Sequence, residues 1–236
     1  MWPDRDVQEH GTQGAFSAKP GPPWEEIFKV LCRERKRQKR TPPQRALGLL
    51  QEAVRQYQSP ACLKNLANTC GQSVPEATHS SRELEACGLA KRHSIAVGRS
   101  QMIFVEPTKE GFEFLGISPP AGVGRGGPGH RYCLSLVETH LQSKGYRTTR
   151  EVEVEGKRLD LLAVKGGSKV FVELETSDEN AARNAVEDLA VADGSVKQVA
   201  VICPTRKVLA QVEKAVRAAL DPQALGKFAF RTVLEL

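Results

Sequence analysis

The sequence predicts a mixed fold in two parts, α/β plus α+β. A helical module closes with a two-stranded hairpin, and a second module follows in the order α-β-β-β-α-β-α-β around a mixed sheet. Three observations predict this. Ala46, Leu49, Leu50, Ala53, Val54 and Tyr57 recur at helical spacing, a single apolar stripe. Residues 118–129, SPPAGVGRGGPG, are too dense in Gly and Pro for regular structure and mark a boundary. Beyond them, short alternating apolar runs separated by Gly turns read as strands.

The 236 residues suit two small domains, each able to bury a core. Forty per cent are apolar and 26% charged, as in soluble globular proteins, and the net charge of +6 favours a polyanionic partner. No apolar run approaches the roughly 20 residues that span a bilayer. The start, MWPDRD, has no apolar core of a secretory signal, so a cytoplasmic protein without a membrane partner is expected. The six cysteines, at 32, 62, 70, 87, 133 and 203, form no Cys-x-x-Cys pair. Most sit in helical patterns as small hydrophobes. A zinc site from Cys62, Cys70, His79 and Cys87 matches no finger or ribbon spacing.

Residues 1–23 have little to bury and are expected to be disordered. Residues 24–42 are expected to form a basic helical arm. Trp24, Ile27, Phe28 and Leu31 make its apolar face, and six of the eight residues from Arg33 to Arg40 are basic. Arg35, Lys36, Arg37, Lys39 and Arg40 read equally as a solvated helix end or as phosphate contacts. Residues 43–117 continue with the stripe helix and a short helix over Leu63–Cys70. A third helix follows, opened by the Ser73/Glu76 capping box, with Val74, Ala77, Ser81 and Leu84 inward. His93–Val97 and Gln101–Val105 pair about Gly98-Arg99-Ser100, and a last short helix starts near Thr108.

In residues 130–236, a helix over His130–Lys144 precedes strands Arg147–Glu155, Arg158–Val164 and Lys169–Glu175. Thr176 with Glu179 is read as the capping box of a helix burying Ala182, Ala185, Val186 and Leu189. Strand Gln198–Cys203, helix Val208–Leu220 and strand Lys227–Leu234 complete the order. If Lys165–Ser168 is the hairpin loop, Val164 pairs with Lys169, which sets Asp160 opposite Glu173 and Arg158 opposite Glu175. Alternation puts Glu173 and Glu175 on one face, so three carboxylates converge. Like charges so close repel, and a divalent cation taking carboxylate oxygens relieves the repulsion. The competing reading is a face of surface salt bridges.

Two resemblances follow from these residues. The stretch Ser81-Arg82-Glu83-Leu84-Glu85-Ala86-Cys87-Gly88-Leu89-Ala90-Lys91-Arg92, with the element order around it, resembles the winged helix-turn-helix family. It implies that Thr78, His79 and Arg82 face DNA from the third helix and Arg99 from the wing. Some such domains instead bind proteins.

The segment from Arg125 to about Leu220 resembles the PD-(D/E)xK, restriction-endonuclease-like superfamily. The resemblance implies a DNA endonuclease dependent on Mg²⁺ or Mn²⁺. Asp160 matches the first acid, Glu173 the second, and Glu138 an extra helix acid. Asp160, Glu173 and Glu175 would hold the metal. Glu175 stands where Lys is usual, so Arg158 or Lys169 would supply the missing cation, Arg158 the closer by register. A second reading stays open: a binding regulator or adaptor on mobile DNA that keeps the fold without catalysis. Residues GRGGPGHRY at 124–132, RLD at 158–160 and VELET at 172–176 are similar to a tail of some prokaryotic DNA-translocating ATPases. No Walker motif is present, so that partner would be a separate chain. Duplex cutting would call for a homodimer.

Overall fold

The computed structural model describes residues 41–120 and 126–236. The expected basic arm, with Arg35, Lys36, Arg37, Lys39 and Arg40, lies outside them. No described helix is long and apolar enough to cross a membrane.

Helix α1 (Gln44–Arg55) buries Ala46, Leu49, Leu50 and Ala53, the expected stripe. Against it pack α2 (Leu63–Thr69) and α3 (Val74–Ala86). The Ser73–Glu76 capping box is present, with the Ser73 N–H donating to Glu76 at 2.8 Å. The inward face of α3 differs from the expectation. Ala77, Ser80, Ser81 and Leu84 are buried, while Val74 is 44% exposed, as Pro75 and Glu76 of the same first turn are also exposed. Ser81 Oγ satisfies itself on the Thr78 carbonyl at 2.9 Å. Strands β1 (Ala90–Val97) and β2 (Ser100–Pro107) form an antiparallel pair with Gly98-Arg99 as the turn, and α4 (Lys109–Phe114) is capped by Thr108.

Helix α5 (Pro128–Ser143) then leads into β3 (Arg147–Val154), β4 (Lys157–Lys165), β5 (Ser168–Leu174), α6 (Ala181–Ala190), β6 (Val196–Cys203), α7 (Arg206–Ala219), the single-turn α8 (Pro222–Leu225) and β7 (Phe228–Thr232). The five strands lie in the order β3-β4-β5-β6-β7. The first two pairings are antiparallel and the last two parallel. The fold is therefore mixed α/β, with a mixed five-stranded sheet and a separate antiparallel pair.

Alternation decides the layers. Leu161, Val172 and Ile202 face Cys133, Leu134 and Val137 of α5. Phe171, Val199 and Val201 face Ala181 and Ala185 of α6 and Val212 and Val216 of α7. Burial pushes the thiols of Cys133 up to about 11 and Cys203 up to about 12, so both act as inert hydrophobes.

The hairpin β1–β2 belongs to both parts of the protein. Val97 shares the α5-side core with Leu134, Val137 and Val233. At its tip the Gly98 N–H donates to the Pro204 carbonyl at 2.7 Å. Gly98 has φ +60°, and a Cβ there would fall 2.0 Å from Leu234 Cδ1, so only glycine fits without strain. Near the start of α5, Arg131 is 6% exposed. Its guanidinium donates to Glu106 Oε1 on β2 at 3.0 Å and to the Tyr57 and Gly126 carbonyls, and lies 4.6 Å from the centre of the Tyr57 ring.

Helix α6 departs from the expectation in start and phase. Glu175 N–H still bonds to Ile202 O of β6 at 2.9 Å, so the chain is not free to turn at Thr176, and the helix begins at Ala181 without a side-chain cap. Its buried stripe is Ala181, Ala185 and Asp188, and Val186 is 46% exposed.

Candidate carboxylate site

The hairpin β4–β5 carries the site. Gly166 and Gly167, with φ +57° and +81°, form a two-residue turn of the kind that matches strand twist. Lys165 pairs with Ser168 and Val164 with Lys169, the register expected from sequence. The ladder stops at Leu161–Val172, one step before Asp160 and Glu173. There the Leu174 N–H turns to the Asp160 carboxylate, donating to Oδ2 at 2.9 Å. His130, in the first turn of α5, places Nε2 3.1 Å from the same oxygen. Asp160 is thus fixed from two sides.

Asp160, Glu173 and Glu175 line one pocket of about 920 Å³, together with His130, Lys157, Arg158, Arg183 and Asn184. Glu173 is 6% exposed, and its Oε1 has no hydrogen-bond partner among the described residues. Burial, reinforced by the neighbouring carboxylates of Asp188 and Asp160, raises its pKa far above the usual carboxylate range. Asp188 is 1% exposed and its pKa is also raised by burial, against the pull of Lys157. Lys157 Nζ lies 3.3 Å from Asp188 Oδ1 and 3.3 Å from Glu187 Oε2. Burial disfavours this ammonium, but Asp188 and Glu173 outweigh it and raise its pKa. Burial raises Glu175 as well, opposed by Asn184, whose amide donates to Oε1 at 2.7 Å. Among the described residues, no three His, Cys, Asp or Glu side chains stand as a ready-made metal cage.

The other expected site residues fall elsewhere or take other partners. Glu138 is absent from the pocket lining. It receives Arg150 Nε at 2.8 Å and Thr148 Oγ1 at 3.0 Å, because its turn of α5 lies beside β3. Arg158 lines the pocket but pairs with Glu151 rather than standing opposite Glu175, since β5 has ended before that position. Lys169 sits at the far end of β5, 3.0 Å from Asp193.

On α3, Thr78 donates to the Val74 carbonyl, His79 lies 3.1 Å from Glu83, and Arg82 is exposed. Arg99 is exposed at the hairpin tip. The cysteines at 62 and 70 and His79 make no metal group.

Sequence reasoning missed His130, Lys157, Asn184 and Asp188. Only Asp188 left a signal, as the i+7 member of a stripe begun by Ala181 and Ala185.

No protein-family model and no curated protein matches this chain. A crystal structure of protein VC1899 from Vibrio cholerae is similar to it with a TM-score of 0.35 and 14% sequence identity. That alignment covers 92% of this chain and 55% of the other, so the chain spans about half the length of that protein.

Proposed function

We propose that this chain is a DNA-binding protein whose carboxylate pocket hydrolyses phosphodiester bonds with a divalent cation, Mg²⁺ or Mn²⁺. In this reading residues 43–117 act as a winged helix-turn-helix and residues 130–236 as a restriction-endonuclease-like module. One observation carries it. Two adjacent strands bring Asp160, Glu173 and Glu175 into one pocket, where Glu173 keeps a buried oxygen without a partner. A buried unpaired carboxylate is costly, and a hard cation that takes oxygen ligands is what such an atom fits.

Bound there, the cation would polarise a phosphate and lower the pKa of water. The chain's own residues do the rest. Leu174 N–H and His130 hold Asp160 in place. Asn184 holds Glu175 Oε1, which leaves Oε2 to take a proton from the attacking water. Arg82 on α3 and Arg99 on the hairpin reach DNA from exposed positions. A second copy of the chain and a separate DNA-translocating ATPase are the partners this reading proposes.

A second reading, a binding protein without turnover, is favoured by Glu175 in the place of the usual lysine and by the pairing of Arg158 and Lys169 elsewhere. Incubation of supercoiled, linear, branched and single-stranded DNA with Mg²⁺ and with Mn²⁺ separates the two. Cleavage by the parent and none by Asp160→Asn supports the enzyme. DNA binding without cleavage by either supports the second reading.

A further inference from the structure

Once a bound cation has displaced the protons of its carboxylates, the pocket holds more negative charge than one divalent cation balances. Asp160, Glu173 and Glu175 line it, and Asp188 backs it on α6. A phosphodiester entering this pocket brings one more negative charge. Something fixed and positive has to face it.

Three Lys or Arg side chains line the pocket among the described residues: Lys157, Arg158 and Arg183. The Arg158 side chain is 42% exposed and committed to Glu151. That of Arg183 is 68% exposed and leans 3.7 Å toward Glu187. The side chain of Lys157 is only 11% exposed. It starts β4, just past the Glu155-Gly156 turn, and reaches inward to Asp188. A lysine carries three N–H donors. One N–H is given to Glu187 Oε2 at 3.3 Å and Asp188 Oδ1 lies beside the ammonium at 3.3 Å as a charge contact, so donor capacity remains for an anionic oxygen in the pocket.

We propose that Lys157 is the catalytic cation of this site, anchored by Asp188, with a remaining N–H directed at a non-bridging phosphate oxygen. It takes the role that Glu175 cannot fill, from the opposite strand of the hairpin. This rests on the hydrolytic reading above. The water oxygen forms the new bond to phosphorus and its proton passes to Glu175 Oε2. The P–O ester bond breaks with its electron pair on the departing oxygen. Lys157 exchanges no proton; it offsets the charge that grows on the phosphate oxygens.

The test compares the parent with Lys157→Met, which keeps the apolar stem, Lys157→Arg and Asp160→Asn. Single-turnover cleavage of a labelled duplex and thermal melts across a Mn²⁺ series are measured on each. Lys157→Met is expected to slow cleavage about 100-fold or more, as when one preorganised charge donor is lost. Lys157→Arg should recover at least about a tenth of the parent rate. Removing a positive charge beside the cation should also move the Mn²⁺ midpoint of Lys157→Met several-fold lower, on the order expected for one nearby charge. A Lys157→Met protein that cuts within about threefold of the parent, or whose Mn²⁺ midpoint does not fall, makes Lys157 a structural ion pair and overturns the proposal. In that case a dead Asp160→Asn leaves the hydrolytic reading standing. A parent that neither cuts nor is stabilised by Mn²⁺ overturns both.

Discussion

Buried Arg131 on α5 and partly buried Glu106 on β2 form an ion pair at 3.0 Å, joining the helical part of the protein to the sheet part. His93 Nε2 approaches the other Glu106 oxygen at 2.9 Å, and Tyr57 stacks on the guanidinium. The residue before Arg131 is His130, which touches Asp160. One turn of α5 therefore anchors the hairpin and sets a wall of the pocket.

Removing the guanidinium leaves the partly buried Glu106 with His93 alone and opens the space beside Tyr57. Arg131→Ala should cost about 3–5 kcal/mol, the range for breaking a buried ion pair. Arg131→Lys should recover little of it, because a single ammonium cannot match a fork that serves Glu106, Tyr57 and Gly126 at once. Urea unfolding of the three proteins measures this, and a loss under about 1 kcal/mol for the alanine variant would remove the pair from the account of stability.

Asp160→Asn should leave the metal-free protein no less stable than the parent, since it removes a negative charge from beside Glu173. It should also lose most of any stabilisation by Mg²⁺ or Mn²⁺, which grows as ln(1 + [L]/Kd). Melts with and without millimolar cation check both halves. A destabilised mutant and a parent indifferent to either metal would return the carboxylates to a salt-bridge face.

The buried acids give a signed pH dependence to the metal-free protein. Glu173 and Asp188 have pKa values raised by burial, so the folded state keeps protons that the unfolded chain has released. Where the folded state binds more protons, stability falls as pH rises. The fall begins above the ordinary carboxylate range near about 4 and continues until the raised values are passed. Denaturation midpoints should therefore drop from about pH 5 to about pH 8, and Glu173→Gln should flatten the drop. A midpoint that climbs over this window in the parent would contradict it.

If α3 reads DNA as proposed, Arg82→Ala should relax discrimination at one base position by about 1–3 kcal/mol. Arg99→Ala should instead weaken binding to all sequences alike. It should reduce the slope of log K against log salt by about 0.9, because a hairpin tip held by Pro204 offers a fixed charge to one phosphate. Binding titrations on matched and mismatched duplexes at several salt concentrations distinguish the two, and parent-like behaviour of both variants would point to a protein-binding face.

The sequence by itself determined the order of the described elements apart from the single-turn α8, the stripe of α1 and the register of β4 on β5. Each of these rests on local physics: the 3.6-residue period, the two-residue alternation, and the positive φ that Gly166 and Gly167 accept. From the register alone, Asp160, Glu173 and Glu175 were legible as neighbours. The partners of those carboxylates were not. His130 lies 30 residues from Asp160, and Lys157 lies 31 residues from Asp188. Such pairs exist only once α5 and α6 have packed on opposite faces of the sheet. Packing also turned α6 so that Asp188 points inward and Val186 outward, and it drew Glu138 away to Arg150. A long charged side chain goes to whatever oppositely charged group the assembled layers bring within reach, and that distance is a property of the tertiary structure alone.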